Sequence, residues 1–489
     1  MRKIGPVRNA LNLAASGLAL ALGVTAAWGA PPPDKVALTG ARIIPVVGVP
    51  LARGTVLVER GKIVAVGEKV EIPYDAREVD CSGQVIFPGM VHAHTARGLD
   101  IPNEPRPVVP HLDAGDALDP SQLFFEDCLR LGVTTVHVIP GNNTVIGGLG
   151  RVVRPVGLTV ADMTVVPQSF MKISVSEKFD RIQQMAALRE ALAELDDYFA
   201  QLAEKRYEEQ LKKDEKTLDV GPAEARKRGK DLIRAEDVEE RYRNLLRLRG
   251  GQVRVDGQDG PTLFKPLGAF VYVDSGLDVG NATRVAKEYG FFDRVVFCVG
   301  GPAFKAMDEL KAAARPIVLP PELVYRETNP LTGEVRETFL PRPYFDAGLK
   351  FALTPAAEDQ YAERMLTYQA ARCVREGIPR DVALRAITLT PAEMLGLADR
   401  VGSIEVGKDA NLVVFSGDPL DFDSVVERVF IDGILAYDRA KDVRLQRLLS
   451  EGLSDVKEKQ PAQPGKTDKP EAKPDAGEPD ADNGKEKPE

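Results

Sequence analysis

Histidine, cysteine and tryptophan are scarce in this chain. Its 489 residues include four histidines, four cysteines and one tryptophan, and aromatic residues make up 6%. Because a catalytic zinc ion normally takes three protein ligands, His92, His94, His111 and His137 bound every imidazole-based metal site the chain can build. Cys81, Cys128, Cys298 and Cys373 lie far apart and form no C-x-x-C pair. Scattered cysteines leave several disulfide pairings open, although Cys298, inside the apolar run RVVFCVG, reads as a buried free thiol. A basic stripe interleaved with aromatics is also missing. With a net charge of −9 and a pI near 5.4, nucleic acid is excluded as a partner.

What is present begins with a candidate export segment. Arg2, Lys3 and Arg8 precede the apolar run Leu11–Ala27, and Ala27-Trp28-Gly29 offers small residues around a cleavage point. The run is short for a spanning helix and contains Asn12 and Ser16. Residues 1–29 therefore read as a signal peptide rather than a membrane anchor, which implies a periplasmic or secreted protein with no stable anchor after cleavage.

Residues 30–87 alternate as short strands (KVALTGARIIPV, TVLVERGKIVAVG, REVDCSGQVI) and suggest the first half of a small β-sandwich. Beyond Pro88-Gly89, apolar strand-like runs alternate with amphipathic segments: VTTVHVIP, FMKISV, GAFVYVD, RVVFCVG, RPIVLPP and LKFALTP. Counted with VIFPGMV and a weaker run near TVVPQ, they predict an α/β fold, a (β/α)8 barrel over 88–398. A helical insertion at 176–250 interrupts it. Ile182, Met185, Leu188, Leu192, Leu195, Phe199 and Leu202 mark one long amphipathic helix, and 222–248 a second, charged one. The pair either forms a homo-oligomer interface or lies on its own barrel. Residues 399–445 return to strand alternation and complete the sandwich, while 452–489, rich in Pro, Lys, Glu and Asp, read as a disordered tail.

Three stretches resemble the amidohydrolase superfamily, in particular its secreted, imidazolonepropionase-like branch. They are the Pro88-Gly89 entry to a first barrel strand, DALDPSQLFFEDCLRLGVTTVHVIPGNNTVIGGLG (116–150), and ALRAITLTPAEMLGLADRVGSIEVGKDANLVVFSGDPL (383–420). The resemblance covers about residues 36 to 440 and implies a small-molecule hydrolase of non-peptide C–N bonds. It also implies one or two divalent ions, typically zinc, at the mouth of the barrel, polarising the scissile carbonyl and activating water.

The family's ligand pattern is only partly filled. In P-G-φ-φ-D-x-H-x-H, His92 stands at the aspartate, His94 at the first histidine and Ala96 at the second. Tyr272 and Asp274 stand where strand five would carry histidines, Val299 where strand six would, and Pro355-Ala356 where strand eight would bring an aspartate; Glu358 and Asp359 follow. Lys172 matches a lysine of the branch. Two readings stay open. In one, a displaced divalent metal binds His92 and His94, with Lys172 and Asp274 as catalytic accessories and Tyr272 and His137 lining the substrate pocket. In the other the histidines are polar relics, no metal binds, and the chain is an inactive binding or scaffold protein. His111 reads as surface, and the loop PGNNTVIGGLG as either an anion cradle or a shaper of the mouth.

Overall fold

The computed structural model describes residues 34–176, 180–218, 220–254, 261–355 and 365–458. The expected signal peptide and the tail beyond Glu458 lie outside these residues, as do Ala356, Glu358 and Asp359. The part up to Arg439 is one compact unit, and Ala440–Glu489 is a second. Within the second unit a helix spans Val443–Glu458 and so runs past the boundary expected at 452.

Strand β1 (Lys35–Ile43) pairs antiparallel with β2 (Leu51–Glu59), which pairs with β3 (Lys62–Gly67). On its other side β1 runs parallel to β4 (Arg77–Asp80) and β5 (Val85–Pro88). Pro88-Gly89 then turns the chain directly into β6 (Met90–Thr95). Glycine is required at this crossing: a Cβ at Gly89 would lie 2.0 Å from Thr134 Oγ1.

Strand β6 runs parallel to β7 (Val133–Val138). Three short strands follow: β8 (Ile146–Leu149), β9 (Arg151–Val153) and β10 (Thr164–Val166). The run near TVVPQ becomes β10, but it pairs antiparallel with β9, which is itself antiparallel to β7. It is therefore not the parallel strand expected from its composition. A three-residue edge strand laid antiparallel on β9 lacks the crossover that a parallel pairing needs. Parallel order resumes at β11 (Phe170–Ser174).

The insertion comes next. One helix spans Arg181–Lys213, with Asp180 accepting from the Ile182 and Gln183 amides at its start. Met185, Leu188, Leu192 and Leu195 join the main apolar core, so this helix lies on its own body. Ile182, expected on the same stripe, is instead 83% exposed. The single second helix expected over 222–248 is broken into Pro222–Gly229 and Glu240–Leu248, with two short 3-10 turns between them. Strands β12 (Gln252–Arg254) and β13 (Pro261–Leu263) form a small hairpin.

Strands β14 (Gly268–Val273), β15 (Val295–Val299) and β16 (Ile317–Val318) continue in parallel from β11, with helices Gly276–Glu288 and Met307–Ala313 between them. An exposed hairpin of β17 (Val324–Thr328) and β18 (Val335–Phe339) precedes β19 (Phe351–Ala352), which runs parallel to β16. The result is an α/β arrangement with a four-stranded sheet, β10-β9-β7-β6, and a six-stranded one, β19-β16-β15-β14-β11-β8.

The chain returns through β20 (Leu412–Phe415), β21 (Val426–Ile431) and β22 (Ile434–Asp438). Strand β20 pairs antiparallel with β5, closing one eight-stranded sheet from both ends of the compact unit. Period-two alternation divides its residues between two cores. Ile86, Leu412, Val414 and Phe430 pack with Leu38 and Ile43 on one face, whereas Phe87, Val413, Phe415 and Val429 join the main core on the other.

Candidate functional site

A cavity of about 700 Å³ opens where β6, β14, β15, β16 and β19 end. That is the end at which parallel α/β folds place their ligands. Successive side chains alternate across a strand, so His92 and His94 leave β6 on one face, and both line the cavity. Tyr272 and Asp274 line it from the end of β14, Val299 from β15 and Pro355 from beyond β19. The positions aligned with the family's ligands are thus on the cavity wall, but most carry no metal-binding group.

Lys172 is wholly buried on β11 and does not line the cavity. Its Nζ donates to His94 Nε2 at 2.8 Å and lies 5.9 Å from the centre of the Tyr272 ring. Lys172 thus meets His94 rather than Asp274. Asp274 Oδ1 instead accepts from the Tyr272 hydroxyl at 3.1 Å. Just downstream, buried Asp278 caps helix Gly276–Glu288 by accepting from Ser275 N at 2.9 Å, and it accepts from Arg181 Nε at 2.5 Å. The insertion is thereby tied to the segment that carries Asp274.

His137 is not a pocket residue, contrary to expectation. Its Nδ1 is 2.8 Å from the Ala93 carbonyl and its Nε2 is 2.8 Å from Ser169 Oγ, so both ring nitrogens are committed. The ring also packs edge-on against Phe270, with centroids 4.7 Å apart. The alternation of β7 sends it inward, but behind the wall. His111 is exposed, as its loop sequence suggested. All four cysteines are buried and free, including Cys298.

Burial dominates the electrostatics. It pushes His92 down to about 4, with help from the Arg97 charge, and His137 down to about 3. His94 is held well below the ordinary histidine range by burial and then by Lys172. Burial also lowers Lys172 and raises the Cys298 thiol. All three inner histidines are therefore neutral near pH 7.

A resident divalent ion does not fit this donor set. His94 Nε2 accepts from Lys172, and His137 has no free nitrogen. Among the described residues no three His, Cys, Asp or Glu side chains gather where an ion could be held. In the Gly-rich loop, five N–H groups are already engaged. Its N–H groups at Gly141, Ile146, Leu149 and Gly150 bond to backbone carbonyls, and that of Asn143 bonds to Asn103 Oδ1. It shapes the mouth, and Asn142 reaches the cavity.

Sequence reasoning missed Arg97, Gln122, Asn142 and Thr354 on the cavity wall. Arg97 offered a signal, three residues past His94 in the turn that follows the same strand, where its guanidinium sits 4.9 Å over the Phe124 ring.

The amidohydrolase family model matches residues 356–435. Amidohydrolase tasK of Hapsidospora irregularis is 26% identical over 425 residues, covering 79% of this chain and 40% of that protein. The N-substituted formamide deformylase of Arthrobacter pascens is 35% identical over 130 residues, 23% of this chain and 24% of that enzyme. An imidazolonepropionase of Thermoplasma volcanium is 38% identical over 69 residues, 13% of this chain and 17% of its own length. The chain thus spans well under half of each of these relatives. A solved amidohydrolase from Thermotoga maritima MSB8 superposes with a TM-score of 0.65 at 29% identity, covering 83% of this chain and 100% of that one. Taken with the α/β architecture and the cavity at the strand ends, these likenesses show a chain similar to amidohydrolases in sequence and in fold.

Proposed function

We propose that this protein binds a small amide in the cavity at the strand ends and hydrolyses its non-peptide C–N bond. The observation that carries the reading is the open cavity of about 700 Å³, with His92, His94 and Asp274 on its wall, on an amidohydrolase scaffold. Water adds across the bond: its hydroxyl goes to the carbonyl carbon and a proton to the departing nitrogen. Asp274, hydrogen-bonded to Tyr272 at the end of β14, is the carboxylate assigned to accept the proton from water. Lys172 acts by positioning, because its donation to His94 Nε2 leaves the His94 proton on Nδ1. No step is routed through a metal ion.

A second reading, ligand binding without turnover, is favoured by one observation: Lys172 occupies the His94 nitrogen through which a metal would be held. On either reading the likeness to the imidazolonepropionase branch and the N-terminal segment with Arg2, Lys3 and Arg8 support an exported protein of that branch.

The test is a screen of N-formyl, N-acyl and cyclic amides with the mature chain, beside Asp274→Asn and Lys172→Met. Turnover that falls at least about 100-fold in Asp274→Asn supports the hydrolase. Saturable binding of an amide that is never turned over supports the second reading.

A further inference from the structure

The polar groups on the cavity wall are not equally engaged. His94 Nε2 accepts from Lys172, and Asp274 Oδ1 accepts from the Tyr272 hydroxyl. Gln122 donates through Nε2 to the Leu99 carbonyl at 3.2 Å, and Thr354 through Oγ1 to the Leu319 carbonyl at 2.6 Å. Asn142 lines the same cavity and differs from them: its Oδ1 is closed off from solvent and meets no donor. Among the described residues that line the cavity, it is the one whose side chain holds a buried polar atom without a partner.

The backbone on either side of Asn142 is held in place. The Gly141 amide donates to the Pro102 carbonyl at 2.7 Å, and the Asn143 amide donates to Asn103 Oδ1 at 2.8 Å. Glycine is needed for this approach, since a Cβ at Gly141 would stand 2.6 Å from Asn103 Oδ1. What remains free to move is the Asn142 carboxamide, whose terminal torsion is broad. A turn about that torsion brings Oδ1 toward the cavity while the loop stays where it is.

We propose that Asn142 is the recognition residue of the cavity, its Oδ1 accepting a hydrogen bond from an N–H group of the bound molecule. This rests on the reading of the cavity as an amide pocket and adds what distinguishes its ligands: amides that retain a hydrogen on nitrogen are taken in preference to N-alkylated ones. A buried acceptor without a donor costs free energy. A ligand that supplies the donor removes that cost, whereas one whose nitrogen is sealed by a methyl group leaves it in place. The rest of the wall suits a flat apolar body, since Phe124, Tyr272, Val299, Val318 and Leu319 line it.

The probes are oxindole and N-methyloxindole, rigid aromatic lactams that differ only in the N–H. Binding of each to the full chain is measured by ligand-observed NMR titration, which requires no turnover. In the native protein oxindole is expected to bind about tenfold more tightly than its N-methyl analogue. Asn142→Asp, which keeps the acceptor and removes the NH2 donor, should retain most of that preference. Asn142→Leu, of similar size but without an acceptor, should bring the ratio to about one. Circular dichroism on both variants checks that the fold is intact. Equal affinity of the native protein for the two probes overturns the proposal, as does an unchanged ratio in Asn142→Leu, or failure of oxindole to bind. Loss of the preference in Asn142→Asp also overturns it, because the NH2 end would then be the contact. The amide-hydrolase reading fails separately. An N–H preference without hydrolysis of any amide leaves the role of Asn142 standing, and turnover that ignores N-methylation leaves the hydrolase standing while removing that role.

Discussion

The eight-stranded sheet and the cavity mouth are built from adjoining residues, with only Gly89 between β5 and β6, yet they are organised differently. In the sheet, backbone groups are paired by the ladders and alternate side chains fill two apolar cores. Any residue of similar shape and hydrophobicity would serve at most of those positions. At the mouth, function depends on a few polar atoms and on which neighbour each one meets. Ala96, Tyr272, Val299 and Pro355, which stand where the resemblance implies metal ligands, line the cavity.

The contrast can be broken first in the sheet. Phe87 is fully buried on β5 and meets Phe415 edge-on with ring centroids 6.2 Å apart, across the ladder that joins the two ends of the unit. Phe87→Ala should lower stability by about 3–5 kcal/mol, measured by urea denaturation. A loss comparable to that of an exposed site would mean that the two ends are not held together there.

The mouth should respond to acid where the sheet does not. The inner histidines have folded pKa values below their ordinary value of 6.5, with His92 near 4 and His137 near 3. Below pH 6.5 the unfolded chain takes up protons that the folded chain refuses, so stability falls as pH drops from about 6.5 toward 4. Each such histidine contributes a slope of about 1.4 kcal/mol per pH unit. Urea midpoints measured from pH 7.5 to 4.5 would show the decline, and His137→Asn should make it shallower.

Smaller effects sharpen the comparison. Lys172 is a buried cation whose solvation is lost and whose partner is a neutral imidazole. Lys172→Met should leave stability unchanged or raise it by up to about 1 kcal/mol, because well-packed apolar replacements of buried charges are tolerated. Arg326, paired with Glu337 across the exposed β17–β18 hairpin, should give no measurable change in Tm when replaced by alanine.

The fold was legible in the sequence wherever a pattern repeats. Near-continuous apolar runs gave β7, β11, β14 and β15, and the returning stretch after residue 399 gave β20 to β22. Short or doubly used segments were not legible. TVVPQ has strand composition, but nothing in five residues says whether its neighbour runs parallel or antiparallel. Ile182 fits the period of its helix yet stands in the first turn, where the helix has not reached the core. At the site, spacing placed His92 and His94 on one face correctly. It could not say that His137, also facing inward, would be consumed by Ala93 and Ser169, because those contacts join residues 44 and 32 positions apart. Nor could it show Lys172 bonded to His94 across 78 positions, the contact on which the reading of the mouth turns.

The most direct measurement is metal content by plasma mass spectrometry on the protein, purified without added metal and again after incubation with zinc or manganese, beside a His94→Ala control. With His94 Nε2 held by Lys172, the native protein should carry far less than one ion per chain, no more than the control. About one ion per chain, lost in His94→Ala, would contradict the account and show that Lys172 yields its place to a metal.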